Sequence, residues 1–492
     1  MKKYSSKRKC EHRTYKQALL IWICILMGVS CKKQIEVQAP PTSVNASNVY
    51  ATDATAAAVL TSIYTNLSSK DRALNFGGLP SISLFAGLSA DELTLFNPAN
   101  QSTTSYQPYY TNSLTNLNSP SFDFWYQIYP IIFVTNSAIE GLSNSTTLTP
   151  LVKNQLIGEA RFIRAFCFFY LVNLYGDVPL VLTSDWKANT NVSREAKAKV
   201  WQQIIDDLKS SQDLLSGGYV ESDAITNKIG TERVRPNKFA ASALLARAYL
   251  YSGDYLHAGE QATTLINNTS IYSLNNLANA FKPNNSEVIW NLQPVGTGTN
   301  ANTGEGAMFV LTSAGPNTSN YPVYLSPYLM NAFENNDQRK VNWTGNVNVG
   351  SAIYSFANKY KMGAGNTTST EYSIVLRLSE QYLIRAEAFA QQGNISGSQA
   401  DLNIIRARAG LPNTLSNDKA SLLSSILHER QVELFTEWGH RWLDLKRTGQ
   451  VDAVMSVVTP QKGGLWNTNW QWFPIILTEL QKDPNLLQNS GY

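Results

Sequence analysis

The sequence predicts a mainly α protein: a single large domain of paired helices, with long irregular loops and a few short strands. Three observations carry this. Apolar residues recur at alternating spacings of four and three along several segments, which marks helix faces that bury. A helix–turn–helix plan with a Gly-Asp or Gly-Asn turn occurs twice, at Gly253 and Gly393. Between the helical segments lie stretches rich in Asn, Gly, Ser, Thr and Tyr with little periodicity, which read as loops.

In chain order, the first 30 residues read as a secretory signal. A basic start (Lys2, Lys3, Lys7, Arg8, Lys9, Arg13, Lys16) runs into the apolar stretch Ala18 to Val29 and then Cys31. That stretch is too short to span a bilayer, and small residues follow it rather than a stop-transfer charge. Gly28-Val29-Ser30-Cys31 resembles a lipobox, with Gly28 where Leu is usual. The expectation is a signal peptide over 1–30, lipidation of Cys31 and a tether over 31–48 containing Pro40-Pro41. The remainder, 49–492, is the domain. It divides into an N-terminal helical part (49–281, with loops at 70–122), a loop and short-strand insertion (282–375) and a C-terminal helical part (376–492).

Removing the signal changes the charge argument. The whole chain has 40 basic and 36 acidic residues; residues 1–30 hold seven bases and one acid, leaving 33 against 35. A near-neutral chain carries no footprint for nucleic acid. Cys10 and Cys24 leave with the signal, so with Cys31 acylated Cys167 stands alone and no intramolecular disulfide forms. Its neighbours Phe166, Phe168 and Phe169 mark it as an inert core residue.

A helix is expected over 50–68. In 154–175, Leu156, Ala160, Ile163, Cys167, Tyr170 and Leu174 form one apolar stripe, and Phe162, Phe166 and Phe169 a second beside it. A helix apolar on two sides packs between neighbours; Gly176 and Pro179 then stop it. Pro236 opens the next helix, with Phe239, Ala243, Ala246 and Leu250; Gly253-Asp254 turns the chain, and Ala258, Ala262 and Leu265 line its partner. The plan returns at 379–409: Ser379 is placed to cap a helix bearing Tyr382, Ala386 and Phe389, and Gly393-Asn394 leads to Ala400, Leu402 and Ile405. This is the economy of tetratricopeptide repeats, a tetratricopeptide-like helical-pair scaffold forming a right-handed superhelix. The two copies lie 140 residues apart, so they form no tandem array in sequence. Strand-like runs occur at Val288–Leu292 and Ala352–Lys359, helices resume over 418–447, and the stretch holding Trp466, Trp470 and Trp472 reads as extended.

Motifs for chemistry are scarce. There is no Gly-x-Ser-x-Gly elbow, Gly-Lys phosphate loop, His-Glu-x-x-His or Cys-x-x-Cys. His257, His428 and His440 are far apart and read as solvated or capping residues. Asp91-Glu92 is the one carboxylate pair that could serve a glycosidase, and a partner at the required separation is not visible in sequence. No catalytic residue, metal site or cofactor is expected.

Several longer motifs resemble one family. Gly158 to Ala165 (GEARFIRA) continues to Leu174 to Leu180 (LYGDVPL). Ala246 to Leu250, Arg377 to Ala388, Leu402 to Pro412, Glu429-Arg430, Gly439 to Arg447 and Pro484 to Tyr492 follow in order. Together they resemble the SusD/RagB family of Bacteroidetes outer-membrane lipoproteins; Pro474-Ile475-Ile476 departs from that family's Pro-Ile-Pro. The resemblance implies a surface-exposed, lipid-anchored outer-membrane protein that captures oligosaccharide and hands it to a SusC-like TonB-dependent transporter. The alternatives are the same fold capturing peptides or another nutrient, an extracytoplasmic hydrolase, or a helical-repeat scaffold.

The motif residues themselves read as fold. Arg161, Arg164 and Glu159 are expected in buried or half-buried pairs between helices, and Trp125, Trp438 and Trp442 as packing anchors. Ligand-binding residues are sought in the loops, where rings stack on sugar faces and amides both donate and accept. One cluster is Asn97, Asn100, Gln101, Tyr106, Tyr109 and Tyr110; the second is Asn320, Tyr321 and Tyr324.

Overall fold

The computed structural model describes residues 49–69, 81–118, 124–227, 230, 232–296 and 301–492. The signal peptide, Cys31, the tether and parts of the 70–122 loops lie outside them. The helices of eight residues or more are α1 (Asp53–Ser69), α2 (Ile82–Ser89), α3 (Phe124–Asn144), α4 (Pro150–Tyr175), α5 (Lys197–Leu214), α6 (Lys238–Ser252), α7 (Tyr255–Ile266), α8 (Leu378–Gln391), α9 (Ile395–Arg408), α10 (Lys419–Glu433), α11 (His440–Arg447) and α12 (Val451–Gln461). The strands are β1 (Leu93–Leu95), β2 (Val288–Leu292), β3 (Val323–Leu325), β4 (Thr344–Val349), β5 (Ala352–Ala357) and β6 (Ser373–Arg377). They form three separate antiparallel pairs, β1–β3, β2–β6 and β4–β5. Among the described residues, no helix is long and apolar enough to cross a membrane.

Helices α3 to α9 form a continuous row in which each packs on the next, with α10 against α8. The two helix pairs that are distant in sequence are therefore adjacent in space, through α7 and α8. Residues 267–377 leave this row and return through β6, which pairs with β2 and runs straight into α8. The turns are built alike. Gly253 (φ +86°) and Gly393 (φ +83°) take the left-handed backbone that a side chain would disfavour. Asp254 and Asn394 then cap the following helix, accepting from the backbone N–H of His257 and Gly397. Leu383, Ala386, Leu402, Ile405, Leu422 and Ile426 bury completely between α8, α9 and α10.

Both stripes of α4 are covered. The rings of Phe162 and Phe166 stand edge-on to Trp290 of β2 at 4.9 and 5.2 Å between centroids, and Phe166 also meets Trp438 at 5.5 Å. Trp125, Trp438 and Trp442 are buried, as their packing role requires. Cys167 is fully buried, and that burial pushes its thiol pKa up, which keeps the nucleophilic thiolate unpopulated.

Charged residues of the motifs tie the row together. Arg164 of α4 donates to both oxygens of Asp207 on α5 (2.8 and 2.7 Å) and to Asn136 Oδ1 on α3 (2.9 Å). Arg161 adds a bond to Asp207 (3.1 Å), and Glu159 accepts from Arg235 (2.7 Å) and from the Tyr64 hydroxyl (2.8 Å). Arg247 on α6 forks onto Glu380 on α8 with two bonds of 2.7 Å. The densest group lies where β6, α9 and α10 meet. Arg377 reaches Glu437 (2.7 Å), Glu433 (2.6 Å) and Glu287 (3.2 Å); Arg408 reaches Glu287 (2.8 Å) and Glu433; Arg339 reaches Asp337 (2.8 Å), Glu429 (2.6 Å) and Glu433 (3.1 Å). Burial alone would raise the Glu433 pKa, but Arg408, Arg377 and Arg339 outweigh it and hold the carboxyl well below its ordinary value.

Four expectations need correction. Residues 82–89, taken as loop, form α2 with every residue buried; a helix apolar all round shows no stripe to read. Beyond 447 the chain is not simply extended: α12 follows, then a 3-10 turn at Thr468–Gln471 and a short helix at Leu477–Lys482. Ser379 is no cap, because α8 already starts at Leu378 and the Ser379 hydroxyl accepts from Arg377 instead. His440 is neither solvated nor capping. It is buried among Arg247, Arg430, Arg377 and Lys359, and burial together with those cations drives its pKa well down, leaving the ring neutral.

Candidate functional site

The two loop clusters sought in the sequence meet at the β1–β3 ribbon. Thr94 faces Tyr324 across the ladder, and the Phe96 N–H donates to Pro322 O (2.7 Å), which places Asn97 beside the 320–322 turn. Strand alternation then sorts the side chains. Leu93, Leu95, Val323 and Leu325 are buried, whereas Thr94, Phe96 and Tyr324 are half-exposed on the opposite face.

Tyr354, half-exposed on β5, completes this face. Its ring lies 5.1 Å from Tyr324 and 6.0 Å from Phe96, edge-on to both at 80° and 77°. Three rings thus form an open aromatic platform whose mutual edge-to-face geometry holds each in place. Tyr110 supports it from beneath. It is buried, shares a hydrogen bond with Thr94, and stands near the phenols of Tyr324 and Tyr328; burial first, then those phenols, push its pKa up to about 12. Tyr110 therefore remains a neutral donor and acceptor at physiological pH.

Amides lie on the turns that flank the ribbon. Asn97 is exposed at φ +47°, Gln101 is exposed, and Asn100 caps the 3-10 turn Gln101–Thr103 by accepting from the Ser102 N–H (2.8 Å). Asn320 is exposed on a turn held by Asn317, whose Oδ1 accepts from the N–H groups of Ser319 (3.0 Å) and Asn320 (2.8 Å). Gly315 lets the β4–β5 hairpin close on this turn: at φ +76°, an added Cβ would sit 2.6 Å from Val349 Cγ2.

Of the nine residues sought, Asn97, Asn100, Gln101, Asn320 and Tyr324 offer surface on the ribbon and its flanking turns. Tyr106 and Tyr109 turn inward, packing on Phe85 of α2 with centroids 6.2 and 4.5 Å away, and Tyr109 also meets Phe473 at 5.3 Å. Tyr110 and Tyr321 are buried beneath and beside the ribbon. Sequence reasoning missed Thr94, Phe96, Tyr328 and Tyr354. The alternation Leu93-Thr94-Leu95-Phe96 was a readable signal for two of them; nothing local connected Tyr354 to the site.

The carboxylate pair has a different fate. Asp91 is buried and gripped by Arg441 through two bonds of 2.8 Å. Glu92 is buried beside it. Burial and the Asp91 charge push its pKa up to about 8, while burial brings nearby Lys462 down to about 7. Asp91 thus serves as an internal ion-pair partner. Glu334, His428 and Glu429 also come together, but Arg406 already bonds both carboxylates (2.6 and 3.2 Å) and His428 Nε2–H donates to Ala332 O (2.8 Å).

Comparison with known proteins agrees with this architecture. A sequence model described as "SusD family" matches residues 330–492, and one described as "Starch-binding associating with outer membrane" matches 44–250. The chain belongs to the SusD/RagB family. It is similar to SusD-like protein P38 of Formosa agariphila, 24% identical over 96% of this chain and 98% of the relative. It is also similar to SusD-like protein P25 of the same organism, 25% identical over 75% of this chain and 79% of that one. Among solved structures, a SusD superfamily protein from Bacteroides vulgatus matches with a TM-score of 0.76 at 23% identity, covering 89% of this chain and 99% of its own. A laminarin-binding SusD-like protein matches with a TM-score of 0.72 at 24% identity and the same coverage. At these identities the structural likeness establishes the fold.

Proposed function

We propose that this chain is a non-catalytic, lipid-anchored outer-membrane protein that captures oligosaccharide and passes it to a SusC-like TonB-dependent transporter. The observation that carries the reading is the platform of Phe96, Tyr324 and Tyr354 with amides on the flanking turns. A sugar ring presents C–H groups on its face and hydroxyls on its rim. Aromatic rings cover the first, while Asn and Gln side chains match the second by donating and accepting at once. The platform is open rather than enclosed, which suits a ligand that must be released. The laminarin-binding neighbour and the starch-binding description of the matching family support a glycan as the ligand class. The signal-like start of the chain supports anchoring at Cys31, and that description's outer-membrane association supports the location.

Calorimetric titration of the chain lacking residues 1–31 against neutral and charged glycans, with mixed peptides alongside, tests the reading. Saturable heat with one glycan class, weakened by Tyr354→Ala, is expected. Heat with peptides alone would overturn glycan capture in favour of peptide uptake by the same fold.

A further inference from the structure

Two of the motifs that name the family, Leu174 to Leu180 and Pro484 to Tyr492, play no part in the platform. They converge on a separate cleft of about 330 Å³, within the roughly 300–1,000 Å³ range of small-molecule sites. Its floor is rigid. Arg194 donates to the carbonyls of Asp177 (2.7 Å), Leu487 (2.9 Å) and Tyr175 (3.2 Å) and to Asn489 Oδ1. Asn489 Nδ2 spans Tyr175 O (3.0 Å) and Phe473 O (2.8 Å), and the Gln488 amide clamps both backbone groups of Ile475 (2.8 and 2.7 Å).

The rim differs in kind. Trp472 forms one wall, half-exposed, and Gly176 opposite it carries no side chain; a Cβ there would lie 3.7 Å from the indole. Two lysines press on that indole, Lys197 Nζ at 4.8 Å and Lys446 Nζ at 4.7 Å from the ring centroid. Among the described residues neither makes an ion pair with a carboxylate, although the interior arginines of this protein are paired almost throughout. Lys446 donates to Asn173 O, and burial followed by the Lys197 charge drives its pKa well down, so the exposed Lys197 supplies the charge at the rim. The side chains of Asn469 and Ser490, also on the rim, make no hydrogen bond among the described residues. Asp177, also in the lining, spends one carboxylate oxygen on the Lys197 backbone N–H (2.9 Å) and faces Arg194, which leaves the Lys197 ammonium as the cation of the rim without an ion pair among the described residues. A cleft with a fixed floor, an aromatic wall, unspent amide and hydroxyl groups and that free ammonium is matched by a polar ligand bearing a negative charge.

We propose that this cleft is a second glycan subsite, selective for sugars that carry an anion, whether a uronate carboxylate or a sulfate ester. The anion meets the Lys197 ammonium, sugar C–H groups lie against the Trp472 indole, and ring hydroxyls bond to Asn469 and Ser490. The subsite stands whether or not the β1–β3 platform binds glycans. The platform rings are Phe and Tyr, so a tryptophan probe separates the two sites.

The protein labelled with fluorotryptophan is titrated with a galacturonic acid trimer, a sulfated galacto-oligosaccharide and a neutral oligosaccharide of equal length, followed by fluorine NMR. The Trp472 resonance is identified by its loss in Trp472→Phe. A saturable shift of that resonance with the uronide or the sulfated sugar, and none with the neutral one, is expected; which of them acts tells carboxylate from sulfate. Lys197→Gln should weaken the response about tenfold, while Lys197→Arg keeps it within about threefold. The proposal fails if the Trp472 resonance is unmoved by both anionic sugars at millimolar concentration. It fails equally if inorganic sulfate alone reproduces the shift, or if Lys197→Gln leaves the affinity unchanged. Lys197 is exposed at the start of α5, so its replacements leave the core intact.

Discussion

Where β6 meets α9 and α10, Arg377, Arg408 and Arg339 share Glu287, Glu429 and Glu433 largely shielded from water, whereas on the β1–β3 ribbon Phe96, Tyr324 and Tyr354 stand half-exposed with no charge among them. The first region joins segments far apart in the chain through geometry that tolerates little change. The second rests on two short strands and a hairpin, with Tyr110 beneath it, and its rings meet edge-on while keeping part of their surface in water. The difference teaches where each property resides: the ionic seam holds the helix row together, and the platform is free to vary with the ligand.

The sharpest way to break the contrast is Arg377→Met. Removing one partner of a buried pair leaves charge stranded, at a cost of about 3–5 kcal/mol; here Glu287, Glu433 and Glu437 all lose a partner. Denaturant titration should show a loss of that size, and a change below about 1 kcal/mol would mean that the seam relaxes or hydrates. Leu402→Ala, in the apolar core between α8, α9 and α10, should cost about 2–5 kcal/mol by the same measurement. Tyr354→Ala belongs to the other region. It should lower glycan affinity about tenfold while shifting stability little, because the ring is half-exposed. Unfolding of that variant at a much lower denaturant concentration would instead make Tyr354 a structural residue.

A pH series sharpens the comparison from within. Glu92, directly before β1, titrates near pH 8 rather than at the ordinary 4.5. A carboxyl with a raised folded-state pKa contributes stability that is full below about 4.5 and is lost as pH climbs to about 8. Wild-type stability should therefore fall relative to Glu92→Gln between about pH 4.5 and about pH 8, and parallel curves would show that Glu92 ionises normally. Glu433 has the opposite sign: its pKa is depressed, so its contribution is present above the ordinary value and is lost as acid carries the pH through the lower folded-state one. The smallest effect is expected at Gly315→Ala, which crowds Val349 in a left-handed turn; a modest loss of affinity with an unchanged fold would show that the 315–321 turn positions the amide rim.

Much of the fold could be read because helices announce themselves locally. The stripes of 154–175, the Gly-Asx turns at 253 and 393 and the motif arginines all carry their meaning within a few residues. Where local signals were missing, the reading failed. Residues 82–89 are apolar on every side and resemble a loop run as much as a helix, and His440 looks like a surface residue until Arg247 and Arg430 close around it. The site was half legible: loops rich in Asn and Tyr marked the correct segments, but Tyr106 and Tyr109 could not be told from Tyr324, since residue type says nothing about which way a ring turns.

By itself, the sequence determined the helical class, the family and the pairing role of Arg161, Arg164 and Glu159, because periodicity and motif spacing are properties of the chain; the partners of Arg377, Arg408 and Arg339 came only with the structure. Only the tertiary structure decided that β1 pairs with β3 across more than two hundred residues, that Tyr354 joins them, and that the motifs around Gly176 and Asn489 form a second cleft. Such contacts depend on how distant segments pack. No local propensity encodes that packing, and it emerges only when the apolar faces find their partners.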